Sequence, residues 1–572
     1  MAIPRTFLSV VLLLAWANAD CCTHAQETAD IIIFNAKVLT CDKDFRQAPA
    51  FAIKGKRILQ VGSKQDLEPF ATEETKWLDL AGKCITPGFT DSHLHYVGLG
   101  SSLQNLDLRD AKNWPEVVEL VKAKAATVPA GTWITGRGWH QEKWSPLPEN
   151  NVEGYPLHDP LSAAVPEHPV MLTHASGHAC LANANAMQLA GVGSATKDPN
   201  GGEIIRDEEG NPIGVFRENA QGLIRAAMPT TERGTDPDSA AEAIALSVAL
   251  AGQNCISHGI TSVHDAGISF EQASALKTLA DRGELPVRLY TMIREPSSKL
   301  AVKMPTARLD MHESGRLMIR SVKVSIDGAL GPHGAWLLQP YEDLPQSTGL
   351  NTVTIEELER IASLCKEHSW QLCVHAIGDR ANQEVLDAYE KILGESAQST
   401  DHRWRIEHAQ HIAAEDLPRF NELKVIPAMQ ANHCTSDALF VIERLGLRRA
   451  AQGAYMWRDL IDLGCIIPNG TDAPVEPINP IVSLHASVTR ELKDGATFFP
   501  EQCMTRQEAL WSYTLWPAQA SFNEHHHGSI AAGLVADFVV WDQDLLRVDA
   551  KQLKSARPLE TWIDGQRVYF AK

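Results

Sequence analysis

At 572 residues with a formal net charge of −19, the chain exceeds the usual size of one domain, so two or more modules, or one large barrel with appendages, are expected. A hydrophobic content of 44% and a charged content of 22% leave ample material for a core. With no long basic run, the negative balance excludes nucleic acid and an anionic membrane surface as partners.

Residues 1–25 form a unit of their own. Arg5 precedes the apolar stretch Phe7–Ala17, which is followed by Ala17-Asn18-Ala19 and Thr23-His24-Ala25. A basic start, a short apolar run and small residues before a cleavage point predict a secretory signal peptide and an exported protein, periplasmic or extracellular. A lipid anchor at Cys21 is the weaker alternative, because Asp20 stands where such processing prefers a small residue. The apolar run falls short of the ~20 residues a spanning helix needs, and no later segment reaches that length, so no stable membrane span is expected. Eleven cysteines are scattered without a C-x-x-C pair, a pattern of isolated buried thiols rather than a zinc ribbon or disulfide scaffold.

Residues 26–85 read as short strands separated by turns: Ile31–Thr40 is apolar and β-branched, and Ala52–Gly62 looks like a hairpin about Gly55. Residues 525–572 repeat this character in Phe538–Trp541 and Thr561–Tyr569, after a helical connection over 486–524. Two such regions at opposite ends of a chain can pair into one small β domain. His525-His-His527 falls in a loop and is expected to be exposed.

Over residues 86–485 strands and helices alternate. Candidate strands are the run before His93, then 259–267, 287–293, 321–327, 371–377, 404–409, 424–429 and 465–469. A helix is predicted over 355–368, and another carries Val385, Leu386, Tyr389, Ile392 and Leu393 at helical spacing. Repeated βα units with apolar strands predict an α/β fold with a parallel sheet under helices, and eight strands predict a closed (β/α)8 barrel of the TIM type. Residues of about 100–250 exceed one crossover and read as an insertion after the first barrel strand, overhanging the mouth, with Thr132–Trp139 suited to shaping a substrate pocket.

Catalytic groups of such a barrel sit at the C-terminal ends of its strands. His93 and His95 flank Leu94, so strand alternation sends both imidazoles to one side and leaves Leu94 for packing. Lys323, His375, His408 and Asp472 fall at or near the ends of strands four, five, six and eight. An inward ammonium such as Lys323 is expensive without a partner, and six such residues at equivalent places predict a metal site.

The strings Pro87-Gly-Phe-Thr-Asp-Ser-His-Leu-His95, Asp327-Gly-Ala-Leu-Gly331, Val374-His-Ala-Ile-Gly-Asp-Arg-Ala381, Arg405-Ile-Glu-His-Ala-Gln410 and Gly470-Thr-Asp-Ala-Pro-Val475 resemble the amidohydrolase superfamily, in the branch of N-substituted formamide deformylase and the YtcJ-like proteins. The resemblance covers nearly the whole chain after residue 25. It implies a barrel capped by a composite β-sandwich built from both chain ends, and one or two divalent ions, usually zinc. By that analogy His93, His95 and Asp472 bind one ion, His375 and His408 the second, and a carbamylated Lys323 bridges them; an unmodified Lys323 beside a single ion is the alternative. The implied reaction is hydrolysis of an amide-type C–N bond in a small-molecule substrate, with a metal-activated water as nucleophile and Asp472 as proton carrier.

His264, Asp327, Arg380, His178, Asn183 and Trp139 are candidate substrate-binding residues from their places near strand ends or in the insertion. Trp139-His140-Gln141, Pro332-His333 and Gln430-Ala431 depart from the related proteins (His for Asp, Pro-His for Ser-Arg, Ala for Pro), so the resemblance alone does not carry the formamide specificity over. A deaminase or cyclic-amide hydrolase on the same barrel is the alternative activity, against which the strand-four lysine counts. A non-catalytic binding protein is a third reading, against which the complete ligand set counts. Homo-oligomerisation is left open.

Overall fold

A computed structural model describes residues 27–229 and 237–571; the expected signal segment, with Cys21, lies outside the described residues. Seven parallel strands run in sequential order around the centre: β1 (Phe89–Leu94), β2 (Ile260–Ile268), β3 (Arg288–Ile293), β4 (Leu317–Ser325), β5 (Gln371–Ala376), β6 (Arg405–His408) and β7 (Ile426–Ala428). Every neighbouring pair among them is parallel. The intervening helices are amphipathic for the reason the sequence indicates. Helix Ile355–Glu367 is capped by Thr354, whose side chain accepts from Glu357 N at 3.2 Å, and it buries Leu358, Ile361, Ala362 and Cys365. Helix Asp379–Leu393 buries Val385, Leu386, Tyr389 and Leu393 on its inner face.

The eighth strand expected over 465–469 does not form as a regular strand. Pro468 brings no N–H to a ladder, and Asp472 takes a left-handed φ of 57°, so the extended run is interrupted on both sides of Gly470. The segment nevertheless bridges the last strand to the first. Met429 N donates to Pro468 O at 3.0 Å and Gly470 N to Met429 O at 3.0 Å, while Ser92 N donates to Asn469 O at 3.0 Å and Asp472 N to His93 O at 2.7 Å. The buried Asp91 carboxylate accepts from Thr471 Oγ1 at 2.6 Å and from His93 N at 3.2 Å, tying this closure to β1. A Cβ at Gly470 would stand 2.6 Å from His93 N and 2.7 Å from His93 O, and backbone cannot give way there. Gly470→Ala is therefore expected to cost about 1–3 kcal/mol, read as a lowered urea midpoint; an unchanged midpoint would show that the closure is looser than described.

Two further sheets hold the terminal strands. One has the order Arg57–Gly62, Ala50–Lys54, Ile31–Phe34, Lys76–Asp79; the other runs Gln566–Phe570, Pro558–Ile563, Phe538–Trp541, Cys84–Pro87, Lys37–Leu39, Gln47–Ala48. Cys84–Pro87 pairs antiparallel with Phe538–Trp541, so N- and C-terminal segments share one ladder. Ile33, Phe51, Ile53, Ile85, Phe538, Val540 and Trp562 from the two sheets form one apolar cluster. Arg288 of β3 joins this unit to the barrel: its Nε donates to Asp537 Oδ2 at 2.7 Å, its Nη2 to Asp537 Oδ1 at 2.9 Å, and it also contacts Asp564. His525 is exposed, but His527 is buried beside Arg288, a correction to the exposure expected for that triplet.

Between β1 and β2 lies a separate six-stranded sheet drawn from residues 106–218, with two apolar clusters of its own. Helix Pro237–Ser257 belongs to the barrel rather than to this sheet, because it packs on helix Tyr96–Ser102, where Gly100 lies so close to Ser247 that a Cβ would meet Ser247 O at 1.9 Å. The cysteines Cys41, Cys84, Cys180, Cys255, Cys365, Cys373 and Cys434 are free and buried.

Candidate metal-binding site

The mouth of the barrel gathers the six residues singled out at strand ends. Leu94 joins the main core, and the His93 and His95 rings lie 5.9 Å apart on the opposite side. Asp472 Oδ1 is 3.8 Å from His93 Nε2 and 3.3 Å from His95 Nε2. Lys323 Nζ, from the inner face of β4, is 3.3 Å from His93 Nε2. The His408 ring lies 4.6 Å from His93 and 4.5 Å from His375. His408 and Asp472 both adopt positive φ, 73° and 57°, and Ala409 follows at 44°. Such conformations cost roughly 1–3 kcal/mol each and persist where surrounding structure imposes them. At His408 this backbone breaks the alternation of β6, so its ring reaches the mouth although Glu407 faces inward beside it.

Donor atoms fall into two groups, each within 4.8 Å: His93, His95 and Asp472, and His408, His433 and Asp472. His433 was not anticipated. It lies in the first turn of the helix Ala431–Gly453, four residues past Met429, so a search confined to strand ends passes over it. The Gln410 amide lies 3.0 Å from its Nδ1.

Below the mouth, His93 Nδ1 donates to Glu407 Oε2, and Arg405 Nη2 donates to the same oxygen at 3.0 Å. Arg405 also reaches His264 Nδ1 at 2.9 Å and Ser92 O at 2.9 Å. The carboxylate fixes the imidazole with Nε2 toward the cleft, the usual arrangement behind a ligating histidine. His408 is held likewise, its Nδ1 donating to Gln430 Oε1 at 2.6 Å.

Burial drives His93, His375 and His408 far below the ordinary imidazole range, and Lys323 adds to the effect. Neutral imidazole is the form that binds metal. Burial also pushes Lys323 down to about 8, against the pull of Glu407 and Asp472. For Asp472 burial acts upward, but the imidazoles of His95, His93 and His433 outweigh it and leave an ionised carboxylate. Among the described residues, His375 Nε2, His433 Nε2 and Asp472 Oδ1 are buried without a hydrogen-bond partner. Buried polar atoms are rarely left so, and imidazole nitrogens converging with a carboxylate suit a borderline divalent ion such as zinc. The donor set fits a metal.

The remaining candidates divide. His178 lines the cleft, its ring 5.0 Å from His375 and its Nδ1 2.8 Å from Glu218 Oε2. Asp327 lies 3.4 Å from His375 Nε2 but is committed to the backbone, accepting from Trp336 N at 2.9 Å, Ile377 N at 3.0 Å and Gly378 N at 2.8 Å. Four are not brought to the cleft. Trp139 packs with Trp144 and Tyr155 in the core of the inserted sheet and donates to Leu172 O at 2.9 Å, as an indole buried with its N–H satisfied. Asn183 caps helix Ala184–Leu189, accepting from Ala186 N at 3.0 Å. Arg380 faces solvent on the outer helix, 3.4 Å from Glu384 and over the Trp336 ring. His264 is buried beneath the site against Arg405. Of the motif departures, His140 and Pro332 line a smaller chamber beyond His375 and His408, and Gln430, next to the departing Ala431, orients His408.

A model of the amidohydrolase family matches residues 76–569. The chain is 30% identical over 583 residues to Protein LONG AFTER FAR-RED 3 of Arabidopsis thaliana, covering 100% of this chain and 97% of that one. It is 28% identical over 543 residues to N-substituted formamide deformylase of Arthrobacter pascens, covering 94% and 97%. The crystal structure of an uncharacterized metal-dependent hydrolase from Pyrococcus horikoshii OT3 superimposes with a TM-score of 0.71 at 26% identity, covering 91% of this chain and 99% of that one.

Proposed function

The chain belongs to the amidohydrolase family, and on that premise we propose that it is a metal-dependent hydrolase of amide-type C–N bonds, of formamide or N-acyl amine type, in small molecules. The observation that carries the reading is the convergence of the buried, unpartnered donor atoms of His433 and Asp472 with His93, His95 and His408, with the His375 ring 4.5 Å from His408. His93, His95 and Asp472 would hold one ion; His375, His408 and His433 would hold a second. Lys323, 3.3 Å from His93 Nε2, would join them as a carbamate, which turns an ill-placed ammonium into an anionic ligand. When bound, such an ion polarises the scissile carbonyl and lowers the pKa of a water to about 7.

The chain's own groups supply the rest. Asp472, lining the cleft, would accept the proton of the attacking water at Oδ2, the oxygen turned away from His93 and His95, and return it to the leaving nitrogen. For His178, burial acts downward, but Glu218 outweighs it and raises the imidazole above its ordinary range. Glu218 thus favours the protonated ring, whose other nitrogen would donate from the cleft wall to the oxygen on which charge develops. The inserted segment contributes Arg137, His178 and Glu218 to the lining of the cleft. Among the described residues no helix is long and apolar enough to cross a membrane, and export directed by residues 1–25 completes the proposal.

Metal content per chain, measured on wild type and Lys323→Ala together with activity on formamides, tests the reading. Two ions falling to one or none, with loss of turnover, is the expected result. An unchanged stoichiometry with full activity would remove Lys323 from the site.

A further inference from the structure

Three guanidiniums face the cleft of a chain whose net charge is −19. Arg137 lies in strand Ile134–Trp139 of the insertion, Arg225 ends helix Gln221–Arg225, and Arg294 directly follows β3. All three line one cavity of about 670 Å³ together with His95, Lys323 and Asp472. Three separate elements of an acidic protein thus deliver positive charge to the place where substrate must enter.

These groups are poorly compensated. Arg137 donates from Nη2 to the backbone oxygen of Ala175 at 3.0 Å, and its Nε is buried without a partner among the described residues. Arg294 is exposed to the cleft, and no described carboxylate hydrogen-bonds to it. Burial pushes Arg137 down to about 10, with the charge of Arg225 acting in the same direction against Asp472. Arg225 acts on Arg294 in the same sense. Among the nearby carboxylates Glu218 offsets Arg294 and Asp472 offsets Arg137 through space, neither by a described hydrogen bond. Glu218 is engaged with His178 at 2.8 Å, Asp265 accepts from Tyr96 N at 3.1 Å and is raised to about 7 by burial, and Asp472 belongs to the ligand cluster. Arg137 carries the desolvated atom, Arg225 and Arg294 are exposed in the same cavity, and three like charges facing one space repel until something brings the counter-charge. The planar fork of arginine matches an oxyanion in two-point geometry.

Resting on the hydrolase reading above, we propose that the substrate carries an oxyanion, a carboxylate or phosphonate-type group, which Arg137, Arg225 and Arg294 hold while the scissile amide lies at the ligand cluster. The three arginines then determine specificity: they select anionic amides over neutral ones and fix which end of the molecule enters first. A neutral N-substituted formamide would leave them without a counter-charge in the cleft.

The test compares racemic N-formylphenylalanine, its phosphonate analogue and the neutral N-formylphenylalaninamide on wild type, Arg294→Gln and Arg137→Gln. Wild type is expected to favour each anion over the neutral amide by about tenfold or more in kcat/KM, the factor that about 1.4 kcal/mol represents. That ratio should collapse toward one in Arg294→Gln, whose side chain has no described partner to lose. Carboxylate and phosphonate are distinguished by which anion shows the larger ratio. A wild-type ratio of one or less, or a ratio unchanged in both variants, overturns the proposal. Calorimetric binding of 3-phenylpropionate against 3-phenylpropionamide separates this site from the hydrolase reading. Tighter binding of the anion, weakened by Arg294→Gln, supports the arginine site even if no amide is cleaved, and that outcome would contradict only the hydrolase reading. Equal binding of the two compounds overturns the site. A preference that survives both arginine variants and vanishes on chelator treatment puts the anion on the metal instead and likewise overturns it.

Discussion

Asp472→Asn is expected to lower kcat by about 10³, within the 10²–10⁴ that loss of a positioned proton carrier removes. The substitution is isosteric, yet it changes two things at once. The carboxamide presents no anionic oxygen to the His93–His95 and His408–His433 groups, both of which include Asp472. It also cannot accept the proton that must travel from water to the leaving amine. Because the Asp472 backbone N donates to His93 O at 2.7 Å whatever its side chain, the closure of the barrel should survive, and circular dichroism should report an unchanged fold. Steady-state kinetics on a formamide or N-acyl substrate, with metal content measured on the same sample, provides the check. A variant with wild-type kcat would remove Asp472 from the chemistry.

The second large effect concerns stability. Arg288→Ala is expected to destabilise the protein by about 3–5 kcal/mol, because breaking a buried ion pair leaves an uncompensated charge. Arg288 is 4% exposed, Asp537 4% and Asp564 6%, so truncation leaves Asp537 without its cation and Asp564 with Arg316 at 2.8 Å at the junction of barrel and terminal sheet. Burial raises Asp564, but Arg288 and then Arg316 outweigh it and hold its carboxyl below the ordinary range. A depressed carboxylate contributes stability that is present above the unfolded value near 3.9 and is lost as pH falls through the folded value. In the variant the carboxylate left without its cation is instead destabilised as an anion and recovers on protonation. The gap between wild type and variant in urea midpoint should therefore be full at pH 7 and narrow below about pH 4. A gap that is small at neutral pH, or that widens in acid, would contradict the junction described.

Much of the barrel was legible because parallel strands buried on both faces leave apolar runs, and the helices between them leave a 3.6-residue stripe. The site was legible where chemistry conflicts with burial. Lys323 stands in an apolar strand, and His93 and His95 sit two apart across a core leucine. Where a functional residue obeys its local pattern, the sequence is silent. His433 begins a helix whose first turn looks ordinary, and Glu407 alternates correctly with Ile406. Neither declares that it faces the cleft or supports His93. Arg225 and Arg294 are similarly hidden, since an arginine at an element's end usually reaches solvent. The reverse error came from the insertion. Trp139 and Asn183 lie near the mouth in sequence terms, but the inserted sheet has a core and helix caps of its own, which claim them. The eighth strand failed for a local reason: Pro468 and the left-handed Asp472 leave only single bridges to Met429 and β1. The same left-handed backbone that breaks the strand presents the Asp472 carboxylate to the histidines.

The central claim is that His93 belongs to a metal centre that performs the reaction. Its most direct test is element-specific metal analysis of purified His93→Ala beside wild type, with turnover measured on the same samples. Wild type is expected to hold one or two divalent ions per chain, and the variant to lose at least one of them together with activity. A variant that retains both its metal and its turnover would contradict the account.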